Sequence, residues 1–413
     1  MFKKVVTVTG LVAMLAASVF GQTYNARIQS LGGTFIVGDI YDVLRMPGFV
    51  NDYTDDIQAT FDSTVIGIKA LGPLTIGGVF NTQTVMLSGF NADGIREDNR
   101  LIAISPRLNS IQRAPHLLIG FNLDALKLGF DGYWEQTSSS YFSESLNNLA
   151  PLSVKTEAHR SVSNPGFKAG VNINTGAVQL AFMAGIGFPT ITATQKITID
   201  GVVATDNKTL SDDYLAITAG GEVAVPINQF QFKLGAIWSM ENYQFKTENT
   251  AGAVTTTTKD TIYFLNTVSP YLGFKTMLPE NIMLAMQDYS NLSFANFKND
   301  ATDNPTTTIN LANSISMGLE KSFPKILFLD SLGLRGGLSL PTTSSWVVSK
   351  TVAGTQTTNT LTTNETNWGR LGTYIGLGGS FGPLTCDLAL NPAIWPVAIG
   401  GPAVSKFTAT LNF

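Results

Sequence analysis

The sequence predicts an all-β fold, a transmembrane antiparallel β-barrel of about 14–16 strands with an N-terminal plug segment. Three observations carry this reading. Apolar and polar residues alternate with period two along most of the chain. Short turns alternate with polar stretches of about 12 to 25 residues, an uncommon length inside compact domains. Charged residues make up only 14% of the 413, against about 25% in ordinary soluble proteins.

The first element in order is a secretory signal over residues 1–21. Lys3 and Lys4 form a basic start, Val5 to Phe20 are mostly apolar, and Val19-Phe20-Gly21 suits a signal peptidase, with cleavage expected after Gly21. An N-terminal membrane anchor needs about 20 apolar residues, and Thr7, Thr9 and Gly10 interrupt this run. Cleavage removes two lysines and no acidic residue, leaving a mildly acidic chain. That balance disfavours nucleic acid as a partner, because its recognition needs a basic patch. No later stretch suits a membrane helix, since Asn391 to Val404 is short and carries three prolines.

Residues 22–52 do not read as barrel wall and form the expected plug-like segment. The barrel is expected over residues 53–413. In VQLAFMAGIGF, Val178, Leu180, Phe182, Ala184, Ile186 and Phe188 share one face, and Gln179, Ala181, Met183, Gly185 and Gly187 share the other. LKLGFDGYW (126–134) and FQFKLGAIW (230–238) repeat the pattern. Short turns are expected at Leu71-Gly72-Pro73, Asn122 to Ala125, Asn174-Thr175-Gly176, Pro226 to Gln229, Leu278 to Asn281, Phe323 to Asp330 and Phe381-Gly382-Pro383. Between them, Gln136 to Ser163, Thr190 to Asp212 and Thr342 to Asn367 are expected to be long outer loops. Seven hairpins, a strand near Ile57 to Phe61 and the terminal strand give roughly 16 strands, with 14 close behind because bacterial barrels prefer even numbers. The final KFTATLNF alternates to its last residue, as a strand does when it closes a barrel by pairing with the first.

The chemistry-bearing residues are sparse. Only His116 and His159 are present, and both read as interfacial or loop histidines. No metal-ligand cluster, nucleophile elbow or phosphate-binding glycine loop is found, so no enzyme, metal or cofactor is expected. The single Cys386 excludes an internal disulfide framework and reads as a small outward wall residue. Lys127, Asp131, Glu135, Lys168, Lys233, Arg335, Asp387 and Lys406 alternate with apolar neighbours. Facing lipid, each Lys or Arg would cost about 2–4 kcal/mol at mid-depth, so the set is expected to line the lumen. Most would brace the wall or plug through salt bridges, and the other reading is a polar path for solute with no strong charge selection. Gly129, Gly170, Gly185, Gly187, Gly235, Gly333, Gly337, Gly376 and Gly378 fall on the same face, leaving room for a plug, water or ligand.

In the N-terminal segment, Arg27, Leu31-Gly32-Gly33, Asp39, Asp42 and Met46-Pro47 resemble the opening of the long-chain fatty-acid transporter family of outer-membrane barrels. Members of that family carry an arginine, a Gly-Gly pair, acidic residues and Asn-Pro-Ala in a segment that folds into the barrel as a plug. Met46-Pro47-Gly48 departs from that last element. The resemblance implies that Arg27, Gly32, Gly33, Asp39 and Asp42 belong to a plug, with Arg27, Asp39 and Asp42 facing inward charges such as Lys233 or Arg335. It also implies a hydrophobic substrate. Phe413 looks like the terminal residue recognised by the barrel-assembly machinery.

The expected protein is a monomer in the bacterial outer membrane, with membrane lipid, the assembly machinery and small-molecule solutes as partners. The expected function is a channel or transporter for passive uptake of small molecules, hydrophobic ones among them. The alternative is a non-transporting barrel that anchors or assembles surface or secreted proteins.

Overall fold

A computed structural model of the chain describes residues 25–60, 64–80, 109–147, 152–251, 254–299, 304–326, 328–353, 356–368, 371–390 and 404–412. The signal sequence expected over residues 1–21 and the terminal Phe413 lie outside these residues. Nineteen strand segments form one antiparallel sheet. The first nine are β1 (Asp56–Thr60), β2 (Val65–Leu71), β3 (Leu74–Phe80), β4 (Asn109–Arg113), β5 (His116–Leu123), β6 (Leu126–Asn147), β7 (Leu152–Asn174), β8 (Gln179–Gly187) and β9 (Thr190–Ile199). Then come β10 (Val202–Ile227), β11 (Phe230–Ala251), β12 (Val254–Leu278), β13 (Ile282–Asn299) and β14 (Asn304–Ile326). The last are β15 (Leu329–Ala353), β16 (Gln356–Trp368), β17 (Gly372–Phe381), β18 (Leu384–Leu390) and β19 (Val404–Asn412).

Three wall positions are each shared by two segments. Both β4 and β5 pair with β6, both β8 and β9 lie between β7 and β10, and both β16 and β17 pair with β15. The described segments therefore make a closed 16-strand barrel. Closure runs through β1 and β19, with Asp56 opposite Asn412 and Thr60 opposite Thr408. That pairing satisfies both backbones and leaves no sheet edge.

All seven short turns join adjacent strands. Gly72, Asp124, Asn228 and Gly382 have φ of 68°, 60°, 55° and 57°, which is why glycine, aspartate and asparagine punctuate the sequence there. The three polar stretches differ from expectation: their described residues are mostly strand, not loop. Gln136 to Ser163 holds the far halves of β6 and β7, Thr190 to Asp212 holds β9 and part of β10, and Thr342 to Asn367 lies in β15 and β16. Strands of 22 to 26 residues in β6, β10, β11, β12 and β15 exceed twice the roughly 9–11 residues that cross a bilayer. Their far ends have water on both faces, so nothing selects an apolar side and the period-two signal fades. The Thr and Val content that favours strands remains.

The outer face is apolar. Leu117, Trp134, Phe167, Leu234 and Leu272 are each more than half exposed. A band of this kind is untenable in water and matches the lipid-facing belt of a membrane barrel. Inside, residues 26–52 form two short helices, Ala26–Ser30 and Asp42–Arg45, and two 3-10 turns, Phe35–Val37 and Pro47–Asp52. Asn25 caps the first helix, its Oδ1 accepting from Ile28 N. This segment winds round the lumen near the short-turn end, from β17–β19 past β12–β15 to β5–β8. Its Ile40, Val43, Leu44, Met46, Phe49 and Val50 pack on inward-facing Ile66, Ile68, Val79, Leu118, Ala181 and Met183. A second cluster sets Ile28, Leu31, Ile36 and Val37 against Met283 and Ala285.

Candidate functional site

The plugged lumen is the candidate site, and glycine shapes its seat. A Cβ on Gly129 would overlap the Pro47 carbonyl, and one on Gly170 would lie 2.8 Å from Gly48 N. A Cβ on Gly337 would overlap Gly32 N, and one on Gly318 would lie 2.8 Å from the Leu31 Cβ. The plug glycines answer these: a side chain on Gly48 would meet Asn172 N at 2.9 Å, and one on Gly32 would meet Leu338 O at 2.6 Å. Backbone thus sits on backbone at two places on the wall. Gly376 likewise receives Ser30. The remaining inward glycines play another part. Gly185 is covered by the Lys168 stem, Gly187 by Asn164, and Gly235 by the Tyr271 ring; Gly333 and Gly378 lie under Arg335. Their space is taken by wall side chains, not by the plug.

Four groups of polar ties join plug and wall. Arg27 Nε and Nη2 donate to Glu320 Oε2 at 3.1 and 2.9 Å. Arg335 donates to Glu320 Oε1 at 3.2 Å and, through Nη1, to Asp387. Two guanidinium forks therefore hold two carboxylates, and all four charges cancel. Arg45 pairs with Asp42 at 3.1 Å and Glu222 at 3.2 Å, while Lys233 reaches Glu222 at 3.2 Å. Tyr271 Oη donates to Glu222 Oε2 at 2.7 Å. The Arg45 guanidinium also lies 4.7 Å from the Phe35 ring centre and 5.0 Å from that of Tyr271.

In the third tie, Asp131 accepts from Lys168 Nζ and contacts His116 Nδ1, both at 2.8 Å. Lys168 Nζ also donates to Leu44 O at 2.8 Å, joining wall to plug. The fourth joins Lys127 to Asp52, which accepts as well from Asn172 Nδ2 at 2.9 Å. Main-chain groups of the plug are held too: Ala26 N donates to Thr408 Oγ1 at 2.9 Å, Ile36 N to Gln287 Oε1 at 3.1 Å, and Lys275 Nζ to Val37 O at 3.1 Å.

The inward set from the sequence is dispersed among these ties. Asp131, Lys168, Lys233, Arg335, Asp387 and Lys127 belong to them. Glu135 is buried and accepts from Asn164 Nδ2 at 2.8 Å, and Lys406 is buried on β19. Cys386 is half-buried. Among the plug residues, Arg27 meets Glu320 and reaches Arg335 only through that carboxylate. Asp42 pairs with Arg45 of its own helix, and Lys233 takes Glu222 and not a plug aspartate. Burial in the plug, with the Asp42 carboxylate beside it, pushes Asp39 up to about 7.

His116 is not interfacial. It is buried in the lumen because it follows the inward register of β5 with Leu118 and Gly120, while His159 is exposed. Glu222, Glu320, Arg45 and Asp52 were missed by sequence reasoning. The first two sit at inward positions among apolar residues, so the alternation that marks Lys233 marks them as well. Nothing periodic marks the plug pair.

Fold, apolar belt and filled lumen together define a bacterial outer-membrane β-barrel with an internal N-terminal segment. No family model and no curated protein sequence matches the chain. Among solved structures it is similar to the ferric yersiniabactin uptake receptor from Yersinia pestis, at 9% identity over 87% of this chain and 71% of that one, with a TM-score of 0.40. It is also similar to a siderophore receptor from Acinetobacter baumannii, at 11% identity over 81% of this chain and 62% of that one, with a TM-score of 0.34.

Proposed function

We propose that this barrel takes up small solutes passively across the outer membrane, with residues 25–52 controlling the passage. One observation carries the reading: a 16-strand wall is filled near its short-turn end by a separate segment packed among the wall's inward side chains. A barrel of this size otherwise leaves room for an aqueous path. The plug is joined covalently to the wall only through residues 53–55, and docks by side-chain ties and glycine steps. Its charges are spent in balanced groups, Arg27 and Arg335 against Glu320 and Asp387, and Arg45 and Lys233 against Asp42 and Glu222. Little net charge is left to select ions. The resemblance to long-chain fatty-acid transporters extends the reading to hydrophobic solutes. The protein acts without catalysis and without a cofactor, as a monomer.

The anchor reading has one observation in its favour, the strands of 22 to 26 residues that rise beyond the bilayer and present a large polar surface. Swelling of proteoliposomes in iso-osmotic solutes separates the two. Uptake predicts solute-dependent swelling with the full barrel; an anchor predicts none above protein-free vesicles.

A further inference from the structure

The lumen contains a cavity of about 220 Å³ beside the Gly32-Gly33 turn, where the plug meets β13, β14, β15 and β17. Its chemistry differs from that of the four charged ties. Gln29, Gln287, Ser314, Ser316, Ser339 and Tyr374 line it, with the rings of Phe35 and Tyr289, and none of the lining residues is charged. Asp288, between Gln287 and Tyr289, is exposed on the opposite face of its strand, and Arg27 and Glu320 are already paired with each other.

We propose that this cavity binds a neutral, polyhydroxylated solute of about one sugar ring. The inference rests on the uptake reading and assigns it a polar substrate class, in place of the hydrophobic solutes that the resemblance implies. At roughly 30 Å³ per water the volume equals about seven waters, which suits one ring and is too short for a long acyl chain. Hydroxyl and amide groups both donate and accept, so they match a ligand whose edge is made of hydroxyls. Phe35 and Tyr289 meet edge to face at 5.9 Å and supply apolar surface for the ring's C–H face.

Two polar groups are already oriented. Gln287 is fixed by the bond that its Oε1 accepts from Ile36 N, and Ser314 and Ser339 hold each other at 3.1 Å. A third is unspent: Gln29 Oε1 is buried and accepts no hydrogen bond among the described residues. A hydrocarbon ligand would leave that acceptor unsatisfied, and a charged one would find no counter-ion; each carries a desolvation cost that a sugar hydroxyl avoids. Gly33 completes the site. Its φ of 80° requires glycine, and a Cβ there would meet nothing within 4 Å.

The test is equilibrium binding of radiolabelled glucose, gluconate and glucosamine to the full barrel in detergent, with liposome swelling in glucose run in parallel. Saturable glucose binding is expected, at least tenfold tighter than that of either charged analogue. Q29L removes no side-chain hydrogen bond among the described residues, so it should fold and show normal heat-modifiable mobility. It should weaken glucose binding about three- to tenfold, the loss of one hydrogen bond. S339F, which fills the cavity, should abolish binding. Absence of saturable glucose binding, equal binding of gluconate or glucosamine, or an unchanged Q29L overturns the proposal. Swelling without saturable binding sinks the cavity site and leaves uptake standing. Saturable, Gln29-dependent binding without swelling sinks uptake and leaves the binding site.

Discussion

The plugged half of the barrel and the hairpin ends beyond it are made of the same strands in different surroundings. Around the plug a wall residue is fixed from two sides. Gly129 must admit the Pro47 carbonyl while its neighbours Leu128 and Phe130 face outward, and Gly337 must admit Gly32. In the hairpin ends the ladder continues, for example Thr250 opposite Thr255, but both faces meet water. Ladder geometry is therefore common to both halves, and side-chain identity is decisive only where lipid and plug press on opposite faces.

The largest contrast should come from the buried charges. E320Q weakens the carboxylate shared by Arg27 and Arg335, and E320A leaves two guanidinium groups without it. Breaking a buried network of this kind costs about 3–5 kcal/mol. The corresponding hairpin pair, Lys155 with Glu157 at 2.7 Å, has side chains 41% and 45% exposed. E157A should leave the unfolding midpoint essentially where it is, because both side chains of that pair are solvated. Urea unfolding of the barrel in detergent compares them directly, and equal costs would erase the distinction between the halves.

Overpacking the seat should come next. G129L or G337L puts a side chain where plug backbone now lies, and a penalty of about 1–3 kcal/mol falls on plug docking. The wall should still insert and show heat-modifiable mobility, but residues 25–52 should become open to added protease. T250L in a hairpin end should change neither measurement, staying within about 0.5 kcal/mol. Protease resistance that survives both glycine replacements would mean that the plug is not seated on them.

A smaller, pH-dependent contrast follows from Asp39. Its docked value of about 7 lies above the ordinary 3.8, so the docked plug binds a proton that a released plug would give up. Docking is therefore most favourable below about pH 4 and weakens as pH rises through about 7. The charged groups that face it are Asp42, Arg45 and Arg27. Protease sensitivity of the plug should rise between about pH 5 and about pH 8, and D39N should flatten the change. A rise that persists in D39N would place the titrating group elsewhere.

Much of this architecture is legible in the sequence where the surroundings are two-sided. The alternation in VQLAFMAGIGF puts Ala181 and Met183 inside and Phe182 outside, as the structure has them. The turns are legible because positive φ restricts their residues. The hairpin ends read as loops because symmetric solvation leaves no face to mark. The inward charges can be located by register, but their partners cannot. Whether Lys233 meets Glu222 or an aspartate of the plug depends on where an irregular segment settles, and helical or 3-10 turns of three to six residues are too short to print a period. Arg45 and Asp52 are invisible for that reason, and His116 is misplaced because its strand begins right after Ala114-Pro115.

The central claim is that residues 25–48 fill a lumen whose wall closes without them. Single-channel conductance in planar bilayers tests it most directly, comparing the full barrel with one lacking those residues. The deleted form should still insert, because β1 pairs with β19 downstream of the deletion. The small or absent conductance of the full barrel should become a large, steady one. Conductance unchanged by the deletion would contradict the account, and loss of insertion would show that the segment is part of the wall.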